Sequence, residues 1–202
     1  MAGQRGAFIA FEGLDGSGKS THIRLLANKL KERGYDSLIT AEPTTTSIGQ
    51  LITDSIQDTQ SKVPLVTEAL LFAADRFNHL KYVIEPAVRA GNVVLCDRYV
   101  HSSIAYQGAQ QLSIKWIKAI NRFASKADLS IYLDITPEVG LERIQGRKKT
   151  VFEVLPLQKK IREIYLWLVD QGELVLIDAN RSIREVQNDI FNMALDVVKR
   201  RD

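Results

Sequence analysis

A glycine-rich segment near the start of the chain places a lysine and a serine at a spacing that suits phosphate binding. Residues 13–20, GLDGSGKS, match the pattern G-x-x-x-x-G-K-[ST] in full. They follow the apolar run AFIAF at 7–11 and precede a helical pattern, which is the context that this motif requires. Glycines let several backbone N–H groups turn towards phosphate oxygens, and the helix N-terminus adds positive partial charge. The segment therefore predicts a phosphate-binding loop (P-loop) for a nucleoside triphosphate.

Most residues of this P-loop have an expected role in binding ATP. Lys19 is expected to contact the β- and γ-phosphates, and the Ser20 hydroxyl is expected to bind Mg²⁺. The full set of predicted ATP-binding residues is Gly13, Asp15, Gly16, Ser17, Gly18, Lys19, Ser20 and Thr21. A loop of this kind occurs in kinases, GTPases and ATP-driven machines, so the rest of the chain must distinguish among them.

An acid and an arginine follow the third apolar run, NVVLC at 92–96. At the end of a strand beside the P-loop, Asp97 could hold Mg²⁺ through water or orient the attacking oxygen. Arg98 offers a planar, two-pronged donor for phosphate, although a surface salt bridge is the simpler alternative. In hydrolases a glycine usually follows this acid, and the chain has no N-K-x-D guanine motif. Both absences count against a GTPase.

Three further segments carry side chains suited to a nucleotide, each with a simpler alternative. Glu42 precedes Pro43, which holds it in extended backbone, and a plain turn carboxylate is the alternative. Phe72 and Arg76 lie four residues apart on a predicted helix and could grip a base and a phosphate. Spacing alone favours a core phenylalanine with a solvated arginine. The polar and aromatic segment HSSIAYQ at 101–107 is predicted to be a loop that passes the strand ends.

A basic segment, RIQGRKK at 143–149, follows the helix after the fourth apolar run. Such a run is usually a solvated helix end, but nucleotide kinases place a mobile lid here, so we predict a lid at about 143–153. Arg147 is expected to reach the transferring phosphate. It follows Gly146, which gives the backbone freedom to swing, and it carries a planar, permanently charged fork. Arg143 is the second candidate for this catalytic role.

Short apolar runs alternate with helical patterns along the chain. Five strands are predicted, at 7–11, 37–41, 92–96, 129–135 and 174–178. Helices are expected from Lys19 to Gly34, around Ile48–Ile52, after Pro64 with a kink at Pro86, near Ser113, at Thr136, after Phe152 and from Ser182. Continuous apolar strands separated by helices indicate βαβ units. The predicted fold is α/β with three layers, in which about five parallel strands are flanked by helices within one domain, 1–202.

Composition limits the class of protein further. The 202 residues are 45% hydrophobic and 25% charged, which is typical of a globular chain with a sizeable core. A net charge of +3 is too small to argue for nucleic acid. Cys96 is the only cysteine, which excludes an intrachain disulfide and a cysteine-based zinc site. The segment MAGQRG lacks a long apolar region, and no run of 18 apolar residues occurs, so we expect a cytoplasmic protein with no membrane partner.

Taken together, the motifs resemble the thymidylate kinase family of P-loop nucleoside monophosphate kinases. The resemblance covers nearly the whole chain and rests on FEGLDGSGKST, EP, FAADR, DRY with S-x-A-YQ, YLDITPEVGLERI and the basic segment, in that order. It implies transfer of the γ-phosphoryl group of ATP to dTMP, with Mg²⁺, by a homodimer packed through helices. Two alternatives are a kinase of the same architecture acting on another nucleoside or nucleotide, and a P-loop binding module without phosphotransfer.

The resemblance also implies roles at matching positions of the acceptor site. Phe72 would stack on thymine, Arg76 would hydrogen-bond the base and Arg98 would hold the acceptor phosphate. Tyr106 would crowd the 2′ position of the sugar and so favour deoxyribose. The remaining residues would be Asp15 at the 3′-hydroxyl or in the metal sphere, Glu42 and Asp97 around Mg²⁺ and the reacting phosphates, and Ser103 and Gln107 near the base.

Two positions depart from the family pattern. Many relatives have an arginine before Glu-Pro, whereas this chain has Ala41, so one phosphate contact must be lost or supplied elsewhere. The family lid usually carries an arginine just before Phe-Glu, whereas Val151 precedes Phe152 here. The identity of the acting lid residue therefore stays open between Arg147 and Arg143.

Overall fold

The apolar runs of the sequence form one sheet whose strands all point the same way. The computed structural model describes residues 6–57, 62–146 and 150–201. The strands are β1 (Phe8–Gly13), β2 (Ser37–Ala41), β3 (Val93–Asp97), β4 (Leu129–Asp134) and β5 (Val175–Asp178). They lie in the order β2-β3-β1-β4-β5, and every neighbouring pair is parallel. The predicted five-stranded parallel sheet is confirmed. Its carboxyl edge carries the P-loop after β1 and Asp97 at the end of β3.

Helices connect the strands and cover both faces of the sheet. They are α1 (Lys19–Glu32), α2 (Ser47–Gln57), α3 (Leu65–His79), α4 (Glu85–Arg89), α5 (Val100–Ala109), α6 (Ile114–Ile120), α7 (Pro137–Arg143), α8 (Leu155–Asp170) and α9 (Ile183–Lys199). Helix α9 begins, as predicted, directly after Ser182, where a capping box is present: the Ser182 side chain accepts from the Glu185 backbone N–H, and the Glu185 carboxylate accepts from the Ser182 N–H. None of the helices in the described ranges is both long and apolar enough to cross a bilayer.

The helical stretch after Pro64 is interrupted, as expected, just ahead of Pro86. A π-helical turn at Leu80–Ile84 separates α3 from α4, and Pro86 lies in the first turn of α4. Proline has no N–H to donate to the carbonyl four residues earlier, and its ring crowds that carbonyl. Widening the preceding turn accommodates both effects and lets the helical stretch continue.

The prediction of a loop at 101–107 was wrong, because this segment belongs to helix α5. The apolar side chains of Ile104 and Ala105 are buried in the core, while Ser103 and Gln107 are buried on another face, one turn apart. Polar residues on a buried face hide the usual contrast between an apolar side and a solvated side. The polar face of α5 is turned instead towards a cavity in the protein, described below.

The core explains why the strands appear as continuous apolar runs. Ile9 and Phe11 of β1 pack into one cluster, and Phe8 and Ala10 pack into a second cluster on the opposite face. Both faces are thus covered by helices, as in other parallel sheets. Cys96 is buried in the second cluster, and burial raises the pKa of its thiol.

Candidate active site

The loop between β1 and α1 wraps around a cavity of about 770 Å³. Gly16 and Gly18 have φ angles of 80° and 90°, in the left-handed region that side chains rarely adopt. A Cβ atom at Gly16 would lie 2.4 Å from the carbonyl oxygen of Gly140, so this position excludes any larger residue. The cavity is lined by the predicted loop residues Asp15, Gly16, Ser17, Gly18, Lys19, Ser20 and Thr21, whereas Gly13 ends β1 behind them.

Lys19 is buried at the base of this cavity and bonds to the loop itself. Its Nζ donates to the carbonyl oxygens of Gly13 at 3.1 Å and Leu14 at 2.9 Å. Burial, and secondly the charge of Arg98, lower the pKa of Lys19 to about 8, while Asp97 and other acids oppose the shift. The ammonium group is therefore poised to exchange two carbonyl oxygens for phosphate oxygens, which would stabilise its charge.

Ser20 and Asp97 meet beside the P-loop, as the strand order predicts. The Ser20 hydroxyl donates to Oδ2 of Asp97 over 2.8 Å. Both oxygens are hard ligands of the kind that Mg²⁺ binds, and Mg²⁺ usually completes its shell with water and substrate phosphates. The described residues contain no cluster of three or more His, Cys, Asp or Glu side chains that could hold a metal ion by themselves. The pair therefore fits a metal ion shared with a bound phosphate.

Arg98 lies between the P-loop and a second cavity. Its backbone has a φ of 70°, which is uncommon for a residue with a side chain, and its N–H donates to the Phe11 carbonyl over 2.8 Å. Its Nη2 donates to Oδ1 of Asp15 and to the hydroxyl of Tyr106, both over 2.9 Å. Its Nη1 donates to Oγ of Ser102 over 3.2 Å. The simpler alternative of a salt bridge is present as the contact with Asp15, but it is partly buried, because the Arg98 side chain is only 18% exposed.

The second cavity collects all the side chains predicted for an acceptor nucleotide. Helices α3 and α5 supply part of its walls, and helix α2, the segments after β1, β2 and β3 and the segment at 150–152 supply the rest. Its lining includes Asp15, Glu42, Phe72, Arg76, Arg98, Ser103, Tyr106 and Gln107. Asp15, Glu42 and Arg98 also line the first cavity. The two cavities therefore meet at these side chains, which is the arrangement that transfer between two bound molecules requires.

Arg76 is buried in a hydrogen-bond network, which excludes the alternative of a solvated arginine. Its Nε donates to Glu42 over 2.9 Å, and its Nη1 donates to Oδ1 of Asn121 over 2.5 Å. Its Nη2 donates to Oγ of Ser103 over 3.0 Å. Glu42 also contacts the ring of His79, with 3.1 Å between Oε1 and Nδ1. The Glu42 carboxylate is thus committed to two neighbours, and its expected role near a metal ion stays a prediction.

The predicted lid segment, 143–153, is only partly described. Arg143, at the end of α7, lines the first cavity and donates from Nη1 to the Gly16 carbonyl over 3.2 Å. Arg147, the favoured lid arginine, lies outside the described residues. On the far side of the lid, Thr150 and Phe152 line the second cavity. The described ends of this segment therefore border the two cavities, and its role as a lid stays a prediction.

Glu12 is a central residue that the motifs did not single out. It is fully buried in β1, where Oε1 accepts from the Tyr99 N–H over 3.0 Å and Oε2 accepts from the Ser102 hydroxyl over 2.5 Å. The Tyr165 hydroxyl also donates to Oε2, over 3.2 Å. It therefore fixes the start of α5 and the Ser102 hydroxyl that contacts Arg98. One acid within an otherwise apolar strand was the available indication, because a buried carboxylate requires partners.

Asp75 fixes the segment that follows Glu42. The carboxylate is buried and accepts from the Thr44 N–H over 2.7 Å and from the Thr44 hydroxyl over 2.5 Å. The Thr46 hydroxyl adds a third hydrogen bond of 3.0 Å. Asp75 precedes Arg76 in sequence, so the short motif FAADR supplies both a lining residue of the second cavity, Arg76, and the residue that holds the segment after Glu42.

The sheet order, the P-loop with its lysine and the adjoining second cavity define the class of this protein, which is a P-loop kinase. A sequence model of the thymidylate kinase family matches residues 11–190. The chain is 44% identical over 193 residues to the probable thymidylate kinase of Pyrococcus abyssi, covering 92% of this chain and 94% of that relative. It belongs to the thymidylate kinase family.

Other relatives agree with this assignment. The chain is 45% identical over 194 residues to the probable thymidylate kinase of Pyrobaculum aerophilum, which covers 96% of this chain and 98% of the relative. It is 38% identical over 198 residues to the thymidylate kinase of Halothermothrix orenii, which covers 93% of this chain and 96% of the relative. The family resemblance drawn from the sequence motifs is confirmed.

Proposed function

We propose that this protein is a thymidylate kinase, which transfers the γ-phosphoryl group of ATP to dTMP and yields ADP and dTDP. The observation that carries this proposal is the position of Arg98. Its guanidinium contacts Asp15 of the P-loop and Tyr106 of the acceptor cavity, both at 2.9 Å. A phosphate bound at Arg98 would thus lie next to the end of a triphosphate held by the P-loop. One kinase domain, 1–202, would hold both substrates.

The reaction requires alignment and positive charge more than covalent chemistry. An oxygen of the dTMP phosphate attacks the γ-phosphorus, the bond from that phosphorus to the bridging oxygen breaks, and ADP leaves. Lys19 would hold the β- and γ-phosphates, and Arg98 would hold the acceptor phosphate. Mg²⁺, held by Ser20, Asp97 and the phosphates, would neutralise charge on the transferred group. An arginine of the lid would add charge and help to exclude water.

The acceptor cavity suits a pyrimidine deoxynucleotide. Phe72 lines it and is half-buried, so its ring is accessible for stacking on a base. The ring of Tyr106 packs edge-on against Phe152, with 5.1 Å between centroids, while its hydroxyl accepts from Arg98. Held at both ends, the tyrosine would stay in place against the sugar and oppose a 2′-hydroxyl. Family membership argues against the alternative of another acceptor class.

A homodimer through helices is part of this proposal. Helices α2 and α3 pack on each other and leave the apolar side chains of Leu51, Val66 and Leu70 exposed. Val66 and Leu70 lie one turn apart, so they share a face of α3. A second copy of the chain would cover this face. Light scattering at several protein concentrations tests the dimer. Because its substrates would be ATP and dTMP, we place the enzyme in the cytoplasm.

A coupled assay of ADP release tests the function. ATP is supplied with dTMP, dUMP, dCMP, AMP, GMP or thymidine, and the phosphorylated product is identified by chromatography. We expect dTMP to be the best acceptor, dUMP to be a weaker one, and AMP and GMP not to be phosphorylated. Preferred turnover of a nucleoside or of a purine monophosphate would replace the proposal with another kinase activity. Binding of ATP without phosphorylation of any acceptor would indicate a binding module.

A further inference from the structure

Gln107 of α5 presents a buried hydrogen-bond acceptor that has no partner among the residues that the structure describes. The residue is 1% exposed and lines the acceptor cavity. Its Nε2 donates to Oε1 of Glu68 over 3.1 Å. Its own Oε1 is buried and accepts no hydrogen bond from any residue within 6–57, 62–146 and 150–201. Leaving a buried polar atom unpaired is costly, so such an atom in a cavity wall marks the place of a ligand group.

Glu68 lies behind Gln107 and is itself buried. It belongs to α3, is 1% exposed and is not part of the cavity lining. Burial raises the pKa of Glu68, while the hydrogen bonds from Gln107 and Gln110 and the charge of Lys62 oppose this shift and favour the carboxylate. A carboxylate only accepts hydrogen bonds, so the Gln107 amide must turn its NH₂ group towards Glu68. The amide oxygen is then directed away from Glu68, on a residue that lines the cavity.

The direction of this amide matters because pyrimidine bases differ at the atom it would face. Thymine and uracil carry a donor at N3, flanked by the oxygens O2 and O4. Cytosine carries a bare acceptor at N3 and a donor amino group at C4. An amide oxygen pairs with the N3–H of thymine but opposes the lone pair of cytosine. On the same wall, Arg76 and the Ser103 hydroxyl, which accepts from Arg76, provide donors for an oxygen of the base.

We propose that Glu68 is a positioning residue that holds the Gln107 amide with its oxygen towards the base and thereby excludes cytosine nucleotides from the acceptor site. The inference rests on the proposed function, since it concerns how the same cavity chooses among pyrimidine monophosphates. Glu68 acts only through Gln107, because its carboxylate lies outside the cavity lining.

The variant Glu68→Gln tests this role with almost no change in size. A glutamine at this position can donate or accept, so it supports both directions of the Gln107 amide. We expect kcat/KM for dTMP to fall about tenfold through KM, because one buried hydrogen bond to the base is weakened. The value for dUMP should fall in parallel, whereas the value for dCMP should hold or rise. Glu32→Gln, an exposed change at the end of α1, is the matched control.

A double-mutant cycle with Gln107→Met tests the route of the effect. Gln107→Met removes both amide groups, so it should raise the ratio of dCMP to dTMP turnover by itself. In that background, Glu68→Gln should leave the ratio unchanged. An equal loss of kcat/KM for dTMP and for dCMP in Glu68→Gln would show a merely structural role. The inference would also be overturned if Glu68→Gln still changed the ratio of dCMP to dTMP turnover in the Gln107→Met background. An unchanged ratio in Gln107→Met alone would overturn it as well.

The measurements also distinguish a failure of this inference from a failure of the proposed function. The acceptor preference of the unmodified enzyme is determined first, and a preference for anything other than dTMP refutes the proposed function, whatever the variants do. If dTMP is preferred, the variant ratios decide on Glu68 alone. Should Glu68→Gln fail to fold, as judged by circular dichroism, the ratio in Gln107→Met still decides whether the amide sets the choice of base.

Discussion

The guanidinium of Arg98 donates to the carboxylate of Asp15 over 2.9 Å and thereby ties the end of β3 to the P-loop. The contact spans 83 positions of sequence, so only the parallel pairing of β1 with β3 brings the two residues together. Arg98 reaches this position with a φ of 70°, a conformation that its surroundings must maintain. The first cavity, at the P-loop, and the second cavity, for the acceptor, share this ion pair. Arg98 is therefore the most informative position for substitution.

Replacing Arg98 with lysine should impair the acceptor site more than the ATP site. A lysine carries a point charge on a flexible stem and cannot contact Asp15, Tyr106 and Ser102 together. We expect kcat/KM for dTMP to fall about a hundredfold, on the scale of a small misplacement of a reacting group. The KM for ATP should change by no more than a few-fold. Steady-state kinetics with each substrate varied in turn measure both values, and an equal rise in the KM for ATP would contradict the assignment.

Lys19→Met should abolish phosphoryl transfer while the protein stays folded. The substitution removes the fixed cation expected at the β- and γ-phosphates, and methionine fits the buried site without the cost of a desolvated charge. We expect no detectable turnover and an unfolding temperature at least equal to that of the parent. Circular dichroism with an end-point assay checks both. Near-native turnover in the folded variant would remove Lys19 from the mechanism.

The activity should fall at alkaline pH because Lys19 loses its proton. Its ordinary pKa is 10.5, and burial lowers the pKa to about 8, so the free enzyme loses this cation as the pH rises through about 8. Only the ammonium form binds phosphate, so kcat/KM for ATP should decline above that pH. Bound phosphates favour the charged form, so kcat should decline at a higher pH. If the profiles of kcat/KM for ATP and of kcat, measured from pH 7 to 10, declined at the same pH, they would contradict this account.

The same shift predicts a change of stability with pH. The folded pKa lies below the unfolded value, so the fold favours the neutral amine, and the cost of burying the ammonium is fully present below about pH 8. The free energy of unfolding should therefore gain a favourable contribution from Lys19 as the pH rises from about 8 towards 10.5. Urea unfolding of the parent and of Lys19→Met isolates this contribution as the difference between the two curves.

The sequence predicted the sheet and the P-loop because both depend on local patterns. Apolar runs define the strands, and the spacing of glycines, lysine and serine defines the loop. The partners of Arg76 and the hydrogen bond that the Tyr99 N–H donates to Glu12 were not predictable, because they join residues far apart in sequence. Helix α5 was mistaken for a loop because its polar face is buried against the acceptor cavity. Polar groups that serve a site do not follow the rule that buried faces are apolar.

Substitutions of Tyr106 should separate the sugar contact from the contact with Arg98. Tyr106→Ala opens the space beside the sugar, so the ratio of UMP to dUMP turnover should rise about tenfold, as for a relieved contact of one small group. Tyr106→Phe keeps the ring against Phe152 but removes the hydroxyl that accepts from Arg98. It should retain the discrimination and lower turnover. An unchanged ratio in Tyr106→Ala would show that the ring does not face the sugar.

The two lid arginines should differ in the kinetic constant that they affect. Arg143 already donates to the Gly16 carbonyl over 3.2 Å and lines the ATP cavity, so Arg143→Ala should mainly raise the KM for ATP. Arg147 is proposed to reach the γ-phosphate only when it is transferred. Because a transition-state arginine can be worth about 10³–10⁵ in kcat, Arg147→Ala should lower kcat by at least about a hundredfold with little change in either KM.

Arg200→Ala, an exposed change at the end of α9, is the control for loss of one positive charge. It should match the parent in every constant, because its charge lies outside both cavities. If kcat holds within a few-fold in Arg147→Ala and collapses in Arg143→Ala, the transition-state role belongs to Arg143. If both variants keep their kcat, the charge on the transferred group comes from Lys19, Arg98 and the metal ion, and the lid serves only to exclude water.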